Sequence, residues 1–327
     1  MHFRNSFVRG AVLALGLTVG LGSVVGCGRY SINNLRAVKA FKDGTEAYKK
    51  SDFAKSAQLF EEAIGYNDSE AIVFFFLANS YDQQWKPSRK GEAVNDGYMA
   101  KAVENYQKAI DRISAKPEKT ATDKQYMQYS YEYLIAAYGP EKLNDFSKAE
   151  PIARKLIEMN PNDPVNYQAL AKMFQDRGQY DEAEAMFKKA IEVKPNDPAV
   201  YTAIATFYNS QGKFDDTMAA LEERTKYEST NPEAFHYMAT FYQDKIQKDF
   251  RLSKAEQRNY ALKGIAAEDK AIALNPNYAE AMIYKNILLR QQANTEKDPA
   301  VQKALIAQAE DLRAKGIAIQ KRANSGK

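Results

Sequence analysis

The tetrapeptide Pro-Asn-Asp-Pro occurs at residues 161–164 and again at 195–198, 34 residues later. The residues behind each copy repeat as well. Tyr167 returns as Tyr201, Phe174 as Tyr208, Gly178 as Gly212 and Tyr180 as Phe214. A third register follows at the same spacing with Pro232, Phe235 and Tyr242. A period of this length marks an array of one supersecondary unit, not a single globular core. Each unit packs on its neighbours, so the core grows in one dimension and leaves long surfaces open to partners.

Apolar residues at helical spacing extend the array in both directions. A first helix pair spans about 35–67 and a second begins near Ser69. The partner helix of that second pair is delayed by QQWKPSRKGEAVNDG, which reads as an inserted loop. Within it Trp85, the sole tryptophan, either folds back over a helix end or stays exposed beside Lys86, Arg89 and Lys90. A third pair covers 124–160, and the most regular pairs are 164–196 and 198–230. A sixth pair starts at Pro232 and carries a second insertion near 247–256, and a last pair covers 279–292 and 298–321. In its final helix Leu305, Leu312 and Ile319 form one apolar stripe on a polar helix, as a terminal cap requires. The expected organisation is a leader over 1–26, a tether over 27–34, six or seven helix pairs over 35–322, and a disordered tail over 323–327.

The best unit reads YQALAKMFQDRGQYDEAEAMFKKAIEVKP. Tyr167, Leu170 and Phe174 are large enough to fill the groove of a partner helix, while Ala171, Ala183 and Ala190 let helix axes approach. Gly178 ends the first helix and Pro195 stops the second. This pattern resembles the tetratricopeptide repeat, over about residues 37–292. Departures fall at Thr217 and Arg224, and at Lys285 and Asn286, where small or apolar residues are expected. The resemblance implies an all-α, right-handed superhelical solenoid of helix-turn-helix repeats with a concave groove for proteins or peptides.

The N-terminus is a separate text. Arg4 and Arg9 precede an apolar stretch from Gly10 to Gly22, long enough for a signal-peptide core and short of the ~20 residues a stable span needs. Val24-Val25-Gly26 then precedes Cys27, the only cysteine. This resembles the lipobox of bacterial lipoproteins, which implies cleavage before Cys27 and covalent lipid on it. Gly28 does not match the aspartate signal for inner-membrane retention, so the resemblance implies the periplasmic face of the outer membrane if the source is diderm. The tether reaches at most about 25–30 Å when extended, which keeps the array near the membrane.

Sites of chemistry are not legible. One cysteine permits no intramolecular disulfide. His236 is the only histidine beyond the leader, and it reads as a structural or groove residue. No metal spacing, nucleophile set or glycine-rich phosphate loop accompanies it. The adjacent carboxylates Glu61 and Glu62, and Asp215 and Asp216, read as solvated faces. The formal net charge of +4, half of it from Arg4 and Arg9, is too balanced for nucleic-acid binding. The expectation is a protein that is not an enzyme, with no cofactor, metal or small-molecule substrate.

Helical phase assigns groove positions on the first helix of each pair. They are Ile72, Phe76 and Asn79 in the second pair, and Tyr126, Tyr129 and Tyr133 in the third. Val165, Ala169 and Lys172 follow in the fourth, Ala199, Ala203 and Thr206 in the fifth, and Glu233, Tyr237 and Thr240 in the sixth. The three tyrosines of the third pair either line the groove or pack against the neighbouring first helix. The expected function is a membrane-anchored scaffold that binds protein or peptide partners of the cell envelope and assists assembly of an envelope complex. It resembles repeat lipoproteins of outer-membrane barrel assembly and of pilus secretins. The alternative is a structural or regulatory subunit for cell-wall enzymes, acting through the convex face or the inserted loops.

Overall fold

A computed structural model describes residues 31–325; Cys27 and the leader lie outside the described residues. The described residues form fourteen α-helices and one 3-10 turn. They divide into two compact units, with the boundary between Tyr133 and Leu134.

The first unit holds α1 (Ile32–Lys49), α2 (Phe53–Tyr66), α3 (Ala71–Gln84), α4 (Ala93–Ser114) and most of α5 (Ala121–Tyr138). Consecutive helices pack on one another, α1 on α2, α2 on α3 and α3 on α4. Short links favour this, because a helix that turns back after a few residues must lie beside its predecessor. α2 starts where Asp52 accepts from the Lys55 N–H at 3.1 Å. At Gly44 the α1 backbone approaches the Phe60 ring so closely that a Cβ would sit 2.8 Å from it. Phe60, Met99, Tyr106 and Ile113 are fully buried, each worth roughly 1.5–3 kcal/mol of transfer free energy.

The second unit holds α6 (Phe146–Met159), α7 (Pro164–Asp176), α8 (Tyr180–Val193), α9 (Pro198–Ser210) and α10 (Phe214–Tyr227), then α11 (Pro232–Lys248), α12 (Lys254–Leu274), α13 (Ala279–Ala293) and α14 (Pro299–Ser325). The repeated tetrapeptide is the start signal of its regular helices. Proline occupies the first turn, where its missing N–H costs nothing. The preceding side chain caps: Asp163 accepts from Val165 N–H and Asp197 from Ala199 N–H, both at 3.0 Å. Asn231 repeats this before Pro232, accepting from Glu233 N–H at 3.0 Å. The first proline of the motif also works, since the Tyr201 hydroxyl donates to the Pro195 carbonyl at 2.8 Å and Tyr167 to Pro161 at 3.0 Å.

The α7–α8 and α9–α10 hairpins each turn on a glycine. Gly178 and Gly212 have φ of 75° and 70°, a region only glycine enters without strain. Between the paired helices Leu170, Ala171, Phe174, Ala183, Phe187, Ile204, Ala205 and Leu221 form one buried cluster. The departures from the repeat pattern are absorbed locally. Thr217 is fully buried and donates to the Lys213 carbonyl at 2.8 Å. Lys285 is buried and pairs with Asp269.

Four boundaries differ from the sequence reading. The first insertion is largely helix: the link is 85–92, and the rest extends α4 to 22 residues. Buried Asn95 holds both backbone groups of Lys86, accepting from its N–H at 2.8 Å and donating to its carbonyl at 3.1 Å. Trp85 is buried over the end of α3, the folded-back alternative. The second insertion likewise shortens to 249–253 between α11 and the 21-residue α12, which opens with a capping box of Ser253 and Glu256. Ser31 caps α1, so residues 32–34 of the expected tether are helical. α14 runs through Ser325, so residues 323–325 of the expected tail are helical too.

Candidate partner-binding surfaces

In the first unit the predicted groove residues are largely packing residues. α3 buries nearly its whole circumference, from Val73 to Asp82. Phe75 is the hub, with ring centroids 5.0 Å from Tyr126, 5.8 Å from Tyr133 and 5.9 Å from Tyr106. Tyr106 and Tyr133 stack at 5.3 Å, and Tyr129 meets Tyr126 edge-on at 6.1 Å. Phe76 lies between Phe41, Phe60 and Tyr48. Asn79 is 2% exposed; it accepts from the Tyr48 hydroxyl and donates to the Tyr106 oxygen at 3.2 Å. Phe76 and Asn79 therefore do not line an open groove, because a helix apolar on all sides is enclosed on all sides. Of this set Ile72, Tyr126, Tyr129 and Tyr133 keep partial exposure. Burial raises the phenol pKa of Tyr48, Tyr106, Tyr126 and Tyr133, so these hydroxyls stay protonated hydrogen-bonding groups.

In the second unit the first-helix positions recur on the surface in register. Val165, Lys172, Ala199, Thr206 and Glu233 are exposed, while Ala169, Ala203, Tyr237 and Thr240 are half-buried. Lys172 pairs with Asp176 one turn on, and Thr206 donates to the Thr202 carbonyl at 2.8 Å. Tyr237 packs edge-on against Phe241 at 5.1 Å with the Arg224 guanidinium 5.3 Å from its ring centroid. The result is a strip of small, polar and singly aromatic residues along α7, α9 and α11.

Two features had no local signal in the sequence. His236 on α11 bonds the fully buried Glu268 of α12, Nδ1 to Oε1 at 2.9 Å. Tyr278 and Tyr284 meet its ring edge-on at 5.2 and 5.0 Å. Burial lifts the Glu268 carboxyl to about 7. The histidine is thus a structural partner of a carboxyl. No group of three metal-ligating side chains occurs among the described residues. The second feature is Phe250, 92% exposed in the α11–α12 link. No described helix is long and apolar enough to cross a membrane.

Residues 142–207 match the family model of the tetratricopeptide repeat. No curated protein matches the sequence. Among solved structures, the C-terminal part of a TPR repeat-containing protein from Cytophaga hutchinsonii is similar at 13% identity and TM-score 0.55, over 85% of this chain and 98% of that one. A MamA structure from Desulfovibrio magneticus RS-1 is similar at 15% identity and TM-score 0.39, over 60% of this chain and 96% of its own. The family match thus covers the most regular part of the array, and the described residues share the all-α fold of helix pairs seen in the Cytophaga hutchinsonii protein. Arrays of stacked helix pairs present extended surfaces of the kind that bind proteins.

Proposed function

We propose that this chain is a lipid-anchored scaffold of the bacterial cell envelope, which holds protein or peptide partners and assists assembly of an envelope complex. The observation that carries the reading is the register of α7, α9 and α11, where Val165, Ala199 and Glu233 recur exposed 34 residues apart, as do Lys172 and Thr206, beside half-buried Ala169 and Ala203. Small residues admit a ligand backbone, and Tyr237 at one end supplies an aromatic anchor. The binding strip thereby moves away from the tyrosines of α5, whose rings are engaged in packing. The anchor reading rests on Val24, Val25 and Gly26 before Cys27, and Gly28, which does not match the aspartate retention signal, favours the periplasmic face of the outer membrane if the source is diderm. The repeat scaffold also supports a role without catalysis, cofactor or small-molecule substrate.

Photocrosslinking side chains at Lys172, Thr206 and exposed Lys189 in the native envelope test the strip. Adducts to one defined protein at 172 and 206, absent at 189, are expected; adducts at 189 alone would remove the strip assignment. A clickable fatty acid should label the wild-type chain and not Cys27→Ser, and equal labelling of both would end the anchor reading.

One observation favours the alternative. Phe250 stands free in the second insertion, so a subunit acting through that link would crosslink at position 250 and not at 206.

A further inference from the structure

The solvent face of α1 is apolar where a solvent face is ordinarily polar. Ile32, Leu35 and Val38 are 69%, 59% and 66% exposed, and they recur every three residues over the first two turns. This side is opposite the one that packs, which carries Ala37, Ala40, Gly44 and Thr45. The stripe is about 9 Å long at 1.5 Å per residue.

Along the start of α1 itself the charges have one sign. From Gly28 to Lys42 the sequence holds Arg29, Arg36, Lys39 and Lys42 and no acid. Arg36 extends over the Tyr66 ring at 5.7 Å, and Lys39 reaches forward to Asp43 at 3.0 Å. Within α1 acids enter only beyond the stripe, at Asp43 and at Glu46, which pairs with Lys49; Glu62 of α2 lies within electrostatic reach of Lys39. The helix therefore has an apolar, basic beginning and a mixed, ion-paired end.

We infer that the first two turns of α1 lie in the headgroup region of an anionic lipid surface. The inference rests on the lipid-anchor reading of Cys27. Ile32 is five steps of chain beyond that cysteine, a reach of at most about 18 Å, so an anchored chain cannot carry the stripe far from the bilayer. Apolar side chains enter the headgroup boundary by about 5–10 Å, and flanking bases hold anionic lipid. The three side chains and Arg36, Lys39 and Lys42 match both requirements. The anchor thus fixes distance, and α1 fixes which end of its unit meets the membrane.

The full lipidated protein, reconstituted in vesicles of phosphatidylcholine and phosphatidylglycerol, tests this with a nitroxide at Leu35→Cys and, as control, at exposed Lys55→Cys at the start of α2. With Cys27 acylated, each variant has a single reactive thiol. Wild-type protein that accepts the label shows that the anchor reading has failed, independently of α1. The expected result at position 35 is a loss of collisions with a water-soluble nickel complex of roughly threefold or more, with oxygen collisions retained, and no such loss at position 55. Ile32→Asp with Val38→Asp, both exposed and so compatible with folding, should restore nickel collisions at position 35. Equal collisions at 35 and 55 in an acylated sample would overturn the inference. So would protection at 35 that is unchanged when phosphatidylglycerol is omitted and the two aspartates are present, which indicates cover by a protein segment.

Discussion

The ring of Tyr133 stacks on that of Tyr106, with centroids 5.3 Å apart. Tyr106 is fully buried, so this pair ties α5 to the centre of its unit.

Tyr133→Ala should therefore act on stability. Truncating a ring of this kind costs about 2–3 kcal/mol, while Tyr133→Phe keeps the stack and should cost under about 1 kcal/mol. Urea denaturation followed by far-ultraviolet circular dichroism measures both. An alanine variant as stable as wild type would return Tyr133 to the list of surface residues.

The cap at Asp197 accepts from the Ala199 N–H at 3.0 Å at the head of α9. Asp197→Ala should lower stability by about 1 kcal/mol, with Asp197→Asn close to wild type. Thermal unfolding of the three proteins in parallel is sufficient. Equal loss in both variants would point to charge, not to capping geometry.

Glu268 gives the fold a pH dependence of definite sign. Burial raises its carboxyl from 4.5 to about 7, so between those values the folded chain binds the proton more tightly than the unfolded one. The stabilising contribution is complete below about pH 4.5 and is lost as pH rises through 7, a swing of up to about 3 kcal/mol. The nearby titratable groups are His236 on α11, Asp269 on α12 and Lys285 on α13, with Tyr278 and Tyr284 packed against the histidine. Glu268→Gln should flatten the stability profile over that window and exceed wild type at pH 8. An unchanged slope in urea titrations across pH 5–8 would refute this.

What was legible in the sequence was whatever is encoded locally. The Asp-Pro starts, the turn glycines and the spaced alanines each act within one or two turns of helix, and each occupies its expected place. In the first unit Phe76 and Asn79 fall inside the packing and not on a groove, because one rule of helical phase does not hold for every first helix. Phe74, Phe75 and Phe76 in succession already break that rule, since three adjacent large rings point in all directions around α3. The insertions read as loops because they lengthen the unit by about a dozen residues, but buried Asn95 and Met99 continue the helical phase of α4 upstream. The His236–Glu268 pair had no local trace. Its members are 32 residues apart on different helices, and only packing brings them together.

Trp85 sits 8% exposed at the end of α3, and it is the only indole in the chain. Emission excited at the red edge of the absorption band, where tyrosine is silent, therefore comes from the first unit alone. The second unit contributes helicity but no indole signal. Comparing the two readouts in a single melt reports whether the units unfold together or in sequence, with no label and no substitution.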